Sequence, residues 1–171
     1  MTNSAAPRSA PMIRIAMPPD ADAICRIYNH FVTTTIVSFE EVPVPVADMA
    51  ARICGLVRTH PWYVAEEAGV VVGYAYAGPW RTRAAYRHAV ESTIYVAPGR
   101  SGQGIGSTLY TTLIDELRRR EFHCVIGGIA LPNAASVALH EGMGFAKVAH
   151  FREVGWKFGR SVDVGYWQIM L

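Results

Sequence analysis

The residues Gly102-Gln103-Gly104-Ile105-Gly106 have the composition and position to hold a phosphate, because they lie between an apolar strand candidate and a long amphipathic helix candidate. Glycines there let the backbone come close to a phosphate, and the first free N–H groups of the helix point at it. A tight strand-to-helix turn with no ligand is the ordinary alternative. Three further sets carry chemistry of other kinds. Glu91, at the start of the preceding strand, has a carboxylate able to take a proton. His140 has an imidazole that gains or loses a proton near pH 7. Arg81 and Arg83, between Trp80 and Tyr86, offer guanidinium forks suited to carboxylate oxygens. Each has a plain reading as well: a solvated carboxylate at a strand edge, a helix-packing histidine, and loop arginines in water.

Two common phosphate-binding patterns fit the glycine loop poorly. A P-loop ends in Gly-Lys-Ser/Thr, whereas this loop ends Gly106-Ser107 with no lysine nearby. A dinucleotide fingerprint wants glycine or alanine three residues after Gly104, where Ser107 stands, inside an early strand–helix–strand unit with an acidic residue about 20 positions on. His60, His88, His123 and His150 are scattered without metal-ligand spacing, so no metal is expected.

The elements that must position these groups follow from periodicity. A short strand is expected over 12–16, then a helix N-capped by Asp20 with Ile24, Ile27, Tyr28 and Phe31 on one face. A polar, β-branched stretch over 33–41 and a proline-interrupted turn lead to a second helix carrying Met49, Ile53, Leu56 and Val57. Strands over 62–67 and 70–78 read as a hairpin turning at Ala68-Gly69. A basic, aromatic loop precedes a strand over 90–97, with Glu91, Thr93 and Tyr95 on one face and Ser92, Ile94 and Val96 on the other. The helix after the glycine loop buries Leu109, Leu113, Ile114 and Leu117. A strand over 123–130, a helix from about 133 to 143, and strands over 145–154 and 162–171 complete an α/β order of β-α-α-β-β-β-α-β-α-β-β.

With 171 residues, 51% hydrophobic and 18% charged, the chain has the size and mixture of one globular domain over 12–171 behind a mobile tail over 1–11. A net charge of +2 argues against nucleic acid or an anionic membrane as partner. The run Arg118-Arg119-Arg120 suits the end of a helix. No apolar stretch approaches the roughly 20 residues that cross a bilayer, and the first residues lack a signal-peptide core. Cys25, Cys54 and Cys124 read as buried free thiols, and the expected compartment is the cytoplasm.

Two motifs in order give the chain a family resemblance. Gly104 and Gly106 match the Gln/Arg-x-x-Gly-x-Gly/Ala loop of the GCN5-related N-acetyltransferases, with Ser101 at the leading position and Arg100 one place early. About 30 residues on, Asn133 to Ser136 and then Leu139-His140-Glu141-Gly142-Met143-Gly144-Phe145 resemble the helix that follows in that superfamily. Ala75 to Arg81, Glu91 to Val96, Gly106 to Tyr110, Asp163 to Gln168, Thr35 to Phe39 and Pro61-Trp62 look like the phosphinothricin and methionine sulfoximine N-acetyltransferases. The resemblance runs from Met12 to Leu171.

This resemblance implies a mostly antiparallel central sheet, flanked by helices, whose middle strands splay apart around acetyl-CoA. It implies that Ile94, Tyr95 and Val96 offer backbone groups to the pantetheine and acetyl carbonyl. Ser101, Gly102, Gln103, Gly104, Ile105 and Gly106 would cradle the pyrophosphate, and Asn133 and Ser136 would lie along the pantetheine arm. Glu91 becomes the general base, and His140 takes the position where many relatives carry a proton-donating tyrosine. Arg81, Thr82, Arg83 and Tyr86, with Ser92, Thr93 and Phe39, would hold an amino-acid acceptor, the arginines meeting carboxylate and phosphinate oxygens. Direct attack of the amine needs no cysteine nucleophile. Related enzymes are commonly homodimers, and Tyr166-Trp167 suit a subunit contact or the core equally. The leading expectation is acetyl transfer to phosphinothricin, methionine sulfoximine or a related amino acid. A broader amino-acid or peptide N-acyltransferase and a non-catalytic acetyl-CoA-binding domain stay open.

Overall fold

Residues 10–171 are described in the computed structural model, so most of the tail expected over 1–11 lies outside the described residues. Strand β1 (Met12–Ile15) pairs antiparallel with β2 (Trp62–Glu67), which turns back into β3 (Val70–Pro79). The turn residues Ala68 and Gly69 both have positive φ, 48° and 80°, the backbone a tight hairpin requires. Helices α1 (Ala21–Thr34) and α2 (Val46–Leu56) lie between β1 and β2 in sequence. After β3 come a 3-10 turn (Ala84–Tyr86), β4 (Ala89–Val96), α3 (Ile105–Arg119), β5 (Cys124–Leu131), α4 (Ala134–Gly142), β6 (Ala146–Lys157) and β7 (Arg160–Met170).

The seven strands form one sheet in the order β1-β2-β3-β4-β5-β7-β6, antiparallel everywhere except at β4–β5. That parallel pairing stops at Ser92↔Gly127, although β4 continues to Val96 and β5 to Leu131. Beyond it the strands part. This is the mixed α/β sheet with splayed middle strands that the sequence leads one to expect.

Each face of the sheet buries its own core. Ile105, Leu109, Leu113 and Leu117 of α3 pack against Val90, Val125 and Trp167, while Ile24 and Ile27 of α1 and Met49 and Ile53 of α2 pack against Trp62, Val64 and Tyr74 on the opposite face. Strand alternation divides β4 in the same way: Ile94 joins the α3 core and Tyr95 the α1 core. Arg118 and Arg119 end α3 and pair with Asp115 and Glu116, as the macrodipole favours.

Three expectations need correcting. Asp20 does precede α1, but its carboxylate accepts the Met17 N–H at 2.8 Å and binds Arg14 at 2.7 Å, closing the turn before the helix rather than capping it. Cys54 is exposed, because it follows Ile53 on α2 and one residue turns about 100° away from the buried stripe. The last two strands extend further towards each other than expected. Register shifts at Lys147/Ala149 and Phe151/Gly155, with Glu153 at φ 53°, break the alternation that marks a strand in sequence.

Candidate active site

The split between β4 and β5 opens a cleft of about 610 Å³ that runs from α3 and α4 through the sheet to Phe31 and Val37 on the α1 side. Ile94, Tyr95 and Val96 form one wall, Ser101, Gly102, Gly104 and Gly106 the rim, and Asn133 and Ser136 the far side. Of the residues expected to hold acetyl-CoA, only Gln103 and Ile105 are not among the lining residues. The Gln103 side chain turns back to bond Arg100 at 2.8 Å, and Ile105, the first residue of α3, is buried in the core.

The rim owes its shape to glycine. Gly102 and Gly104 have φ of 74° and 80°, and a Cβ added at either meets nothing within 4 Å, so the loop is an open cradle. Gly104 is the N-cap of α3 and has no side chain with which to cap it, leaving the first helical N–H groups and the positive end of the helix dipole to an anion. Gly106 serves packing instead: a Cβ there would lie 3.2 Å from Leu139 Cδ2, so its absence lets α3 approach α4. Arg100 braces the loop, its guanidinium reaching Glu67 at 2.5 Å on the β2–β3 hairpin.

Inside the cleft His140 is nearly fully buried, and both its nitrogens are engaged. Nδ1 lies 2.8 Å from the Ser136 carbonyl oxygen, which only accepts, so Nδ1 carries the hydrogen. Nε2 therefore accepts from the Tyr110 hydroxyl at 2.8 Å, and that hydroxyl lies 3.2 Å from Ser92 Oγ. Burial pushes the His140 pKa down, the hydrogen bond to Ser136 opposing it, and burial pushes the Tyr110 hydroxyl up. The pair is neutral at pH 7. Ser92, expected beside the acceptor, faces α3 instead.

Glu91 lies on the other face of the sheet. It is half-buried, and burial raises its pKa above the usual carboxylate range while the charge of Arg81 pulls it back. Arg81 stacks on Trp80 at 4.1 Å, Trp80 meets Tyr166 edge-on at 5.6 Å, and the Tyr166 hydroxyl is shifted upward by burial and by Glu91. Thr93, on the same face as Glu91, lines the split itself. Thr82, Arg83 and Tyr86 are exposed around the 3-10 turn, and Phe39 is exposed on the loop between α1 and α2. Those four do not line the cleft; they surround the approach to Glu91 only as far as their sequence position beside Arg81 or the α1–α2 loop brings them.

Two adjacent glycines of β5 make room for His140 and Glu91. A Cβ on Gly127 would lie 2.5 Å from His140 Nε2, and one on Gly128 would lie 3.3 Å from Glu91 Oε1 and 3.2 Å from the Tyr166 ring. Sequence reasoning passed over Gly127-Gly128, Tyr110 and Tyr166 as site residues. The available signal was two glycines in the middle of an otherwise apolar strand, where glycine marks a close approach.

Comparison with known proteins gives the family. The pattern describing the Acetyltransferase (GNAT) family matches residues 24–145. Phosphinothricin N-acetyltransferase of Streptomyces viridochromogenes is 43% identical over 91% of this chain and 85% of its own length. The L-methionine sulfoximine/L-methionine sulfone acetyltransferase of Salmonella typhimurium is 40% identical over 93% of this chain and 94% of its own. The crystal structure of a phosphinothricin acetyltransferase from Sinorhizobium meliloti in complex with AcCoA superimposes with a TM-score of 0.91 at 34% identity, covering 95% of this chain and 89% of that one. With its split sheet, its glycine cradle at a helix N-terminus and these relatives, the chain belongs to the GNAT family of acetyltransferases.

Proposed function

We propose that the protein transfers the acetyl group of acetyl-CoA to the α-amine of phosphinothricin, methionine sulfoximine or a related amino acid, a detoxification reaction in the cytoplasm. One observation carries this reading: a raised-pKa carboxylate beside a guanidinium, Glu91 with Arg81, lies across the split sheet from a cradle of helix N–H groups. The backbone of Ile94 to Val96 and of Ser101 to Gly106, with Asn133 and Ser136, would hold acetyl-CoA, which supplies an acetyl group activated as a thioester. An N–H aimed at the carbonyl oxygen would contribute a few kcal/mol in the transition state.

An α-amine is mostly ammonium at neutral pH, so a base must take one proton. Glu91 is that base, and its raised pKa brings it nearer the operating pH, where general bases work best. Arg81 and Arg83 bind the acidic oxygens of the acceptor, and the stacked Trp80 stiffens Arg81. The attacking nitrogen sheds its second proton as the amide forms, and the departing sulfur needs one; the Tyr110 hydroxyl, held by neutral His140 inside the cleft, would relay it, giving one proton and taking one back.

The decisive experiment is thiol release from acetyl-CoA with a panel of amino acids. Turnover with phosphinothricin, methionine sulfoximine and methionine sulfone well above that with ordinary amino acids is the expected result. Acetyl-CoA binding without turnover on any amino acid overturns the reading in favour of a peptide acceptor or a binding module.

We also propose a homodimer formed along β6. Among the described residues this edge strand pairs only with β7, and it exposes Val148, Phe151, Val154 and Trp156, an apolar row that a monomer would leave in water. Sedimentation should give twice the chain mass, with Trp156→Glu shifting it towards one.

A further inference from the structure

The mechanism makes no use of Lys157, yet this lysine is only 2% exposed. Burying an ammonium is costly unless it is hydrogen-bonded, and Lys157 Nζ donates to the Ser38 carbonyl oxygen at 2.5 Å. Burial lowers its pKa, and Glu41, three residues along the same loop, opposes that. Two residues before it, Gly155 is buried, and a Cβ added there would lie 2.3 Å from Phe39 Cζ. The Phe39 ring therefore occupies the space that a side chain at position 155 would need. One end of the β6–β7 hairpin holds the backbone of Ser38 through a charge and seats the ring of Phe39 through a missing side chain.

The rest of the α1–α2 loop is tied from the other side. Tyr95 Oη donates to the Val37 carbonyl at 3.3 Å, and Tyr28 and Ser38 share a hydroxyl hydrogen bond of 2.8 Å. Asn29 spans Val44, donating to its carbonyl at 2.9 Å and accepting from its N–H at 2.8 Å. Tyr95 and Val37 both line the cleft. Residues 37–39 are thus clamped between the strand that borders the cleft and a hairpin some 120 positions later in the chain.

We propose that Gly155 and Lys157 are specificity-determining positions: they fix Ser38 and Phe39 beside Val37, which lines the cleft, and so set which amino-acid side chains enter. This rests on the acetyl-transfer reading given above. Neither residue touches the reacting atoms. Both act through the loop, as positioning residues.

The test compares Lys157→Met, Lys157→Arg and Gly155→Ala with the unaltered protein by two independent readouts. Amide hydrogen exchange over residues 35–41 should rise about tenfold in Lys157→Met, the loss of a charge-assisted hydrogen bond, while β2 and β3 stay protected. In Lys157→Arg the loop should recover most of its protection. Across acceptors of increasing side-chain length, Lys157→Met should raise the acceptor KM about tenfold with kcat within about twofold. Gly155→Ala should displace Phe39 and change the ratio of kcat/KM between short and long side chains at least about fivefold, leaving the acetyl-CoA KM unchanged. Unchanged exchange over 35–41 in Lys157→Met, or an equal loss with every acceptor in Gly155→Ala, overturns the proposal. If Lys157→Met does not fold, Gly155→Ala, which keeps the lysine, decides it through the same exchange and selectivity readouts. If the unaltered protein acetylates no amino acid, the acetyl-transfer reading falls separately, and exchange alone decides whether the hairpin fixes the loop.

Discussion

The two faces of the split sheet are built in opposite ways. On the α3–α4 face the cleft draws its rim and far wall mainly from two short stretches, 100–107 and 133–140, and the rim offers backbone N–H groups and left-handed glycines. On the opposite face Glu91, Arg81, Trp80, Tyr166 and Phe39 come from four distant parts of the chain and act through side chains. A backbone cradle suits a ligand that never changes. A side-chain rim suits an acceptor that differs among relatives. The division explains why relatives with different acceptor names share one fold.

The largest expected effect tests the acceptor face. Glu91→Gln keeps the shape of the side chain and removes the proposed base, so turnover should fall by about 10²–10⁴-fold. The Kd for acetyl-CoA, measured by calorimetry, should stay within about twofold of the unaltered value if the faces are independent. A large loss of cofactor binding in this variant would break the division.

The converse substitution is Gly104→Ala. An alanine forced to φ near 80° costs about 1–2 kcal/mol, so acetyl-CoA affinity should drop on the order of five- to thirtyfold. The acceptor KM at saturating acetyl-CoA should hardly move.

Tyr110→Phe sharpens the comparison from within the cleft. It leaves His140 Nε2 buried without its donor, and stability should fall by about 1–3 kcal/mol in urea unfolding. Turnover should fall about tenfold, less than in Glu91→Gln, because water can stand in for a missing hydroxyl. Loss equal to that of Glu91→Gln would give the pair equal weight with the carboxylate.

The smallest effect is a shift in pH dependence. Glu91 must be ionised to accept a proton, so kcat/KM should fall as pH drops through its pKa, which burial places above the usual carboxylate range. The charge of Arg81 lowers that pKa. Arg81→Gln should therefore move the acidic limb to higher pH, besides raising the acceptor KM. A limb that stays where it was would detach Arg81 from Glu91.

The same division decides what was legible in the sequence. The glycine loop, the helix from about 133 and the strand carrying Glu91 are local patterns, and each lies within a residue or so of its expected place. The Asn133 side chain accepts the Ser136 N–H at 3.1 Å, as an N-cap asparagine should. The hairpin at Ala68-Gly69 was equally plain. The contact of Lys157 with Ser38 spans 119 positions, and the approach of Gly155 to Phe39 is of the same kind; no periodicity encodes either. Tyr166 reads as core or interface alike because its neighbours Glu91 and Trp80 belong to another strand and to a loop far away in sequence. The bulged β6 hid its own length, since Glu153 and Gly155 interrupt the alternation by which a strand is read.

Gly127-Gly128 has a consequence for how such an enzyme can change. Residues 81–88, the loop carrying Arg81, are exposed, as is Phe39 on the α1–α2 loop, so new acceptor preferences are open to gradual exploration there. At 127 even one methyl group would meet the His140 ring at 2.5 Å, and at 128 it would press on both Glu91 and Tyr166. In a library of single substitutions these two neighbouring sites should be the least mutable of β5, less tolerant than Val125 or Ile129, whose side chains can be exchanged for others of similar volume. Directed evolution of the acceptor range should therefore leave this dipeptide untouched while it rewrites the rim.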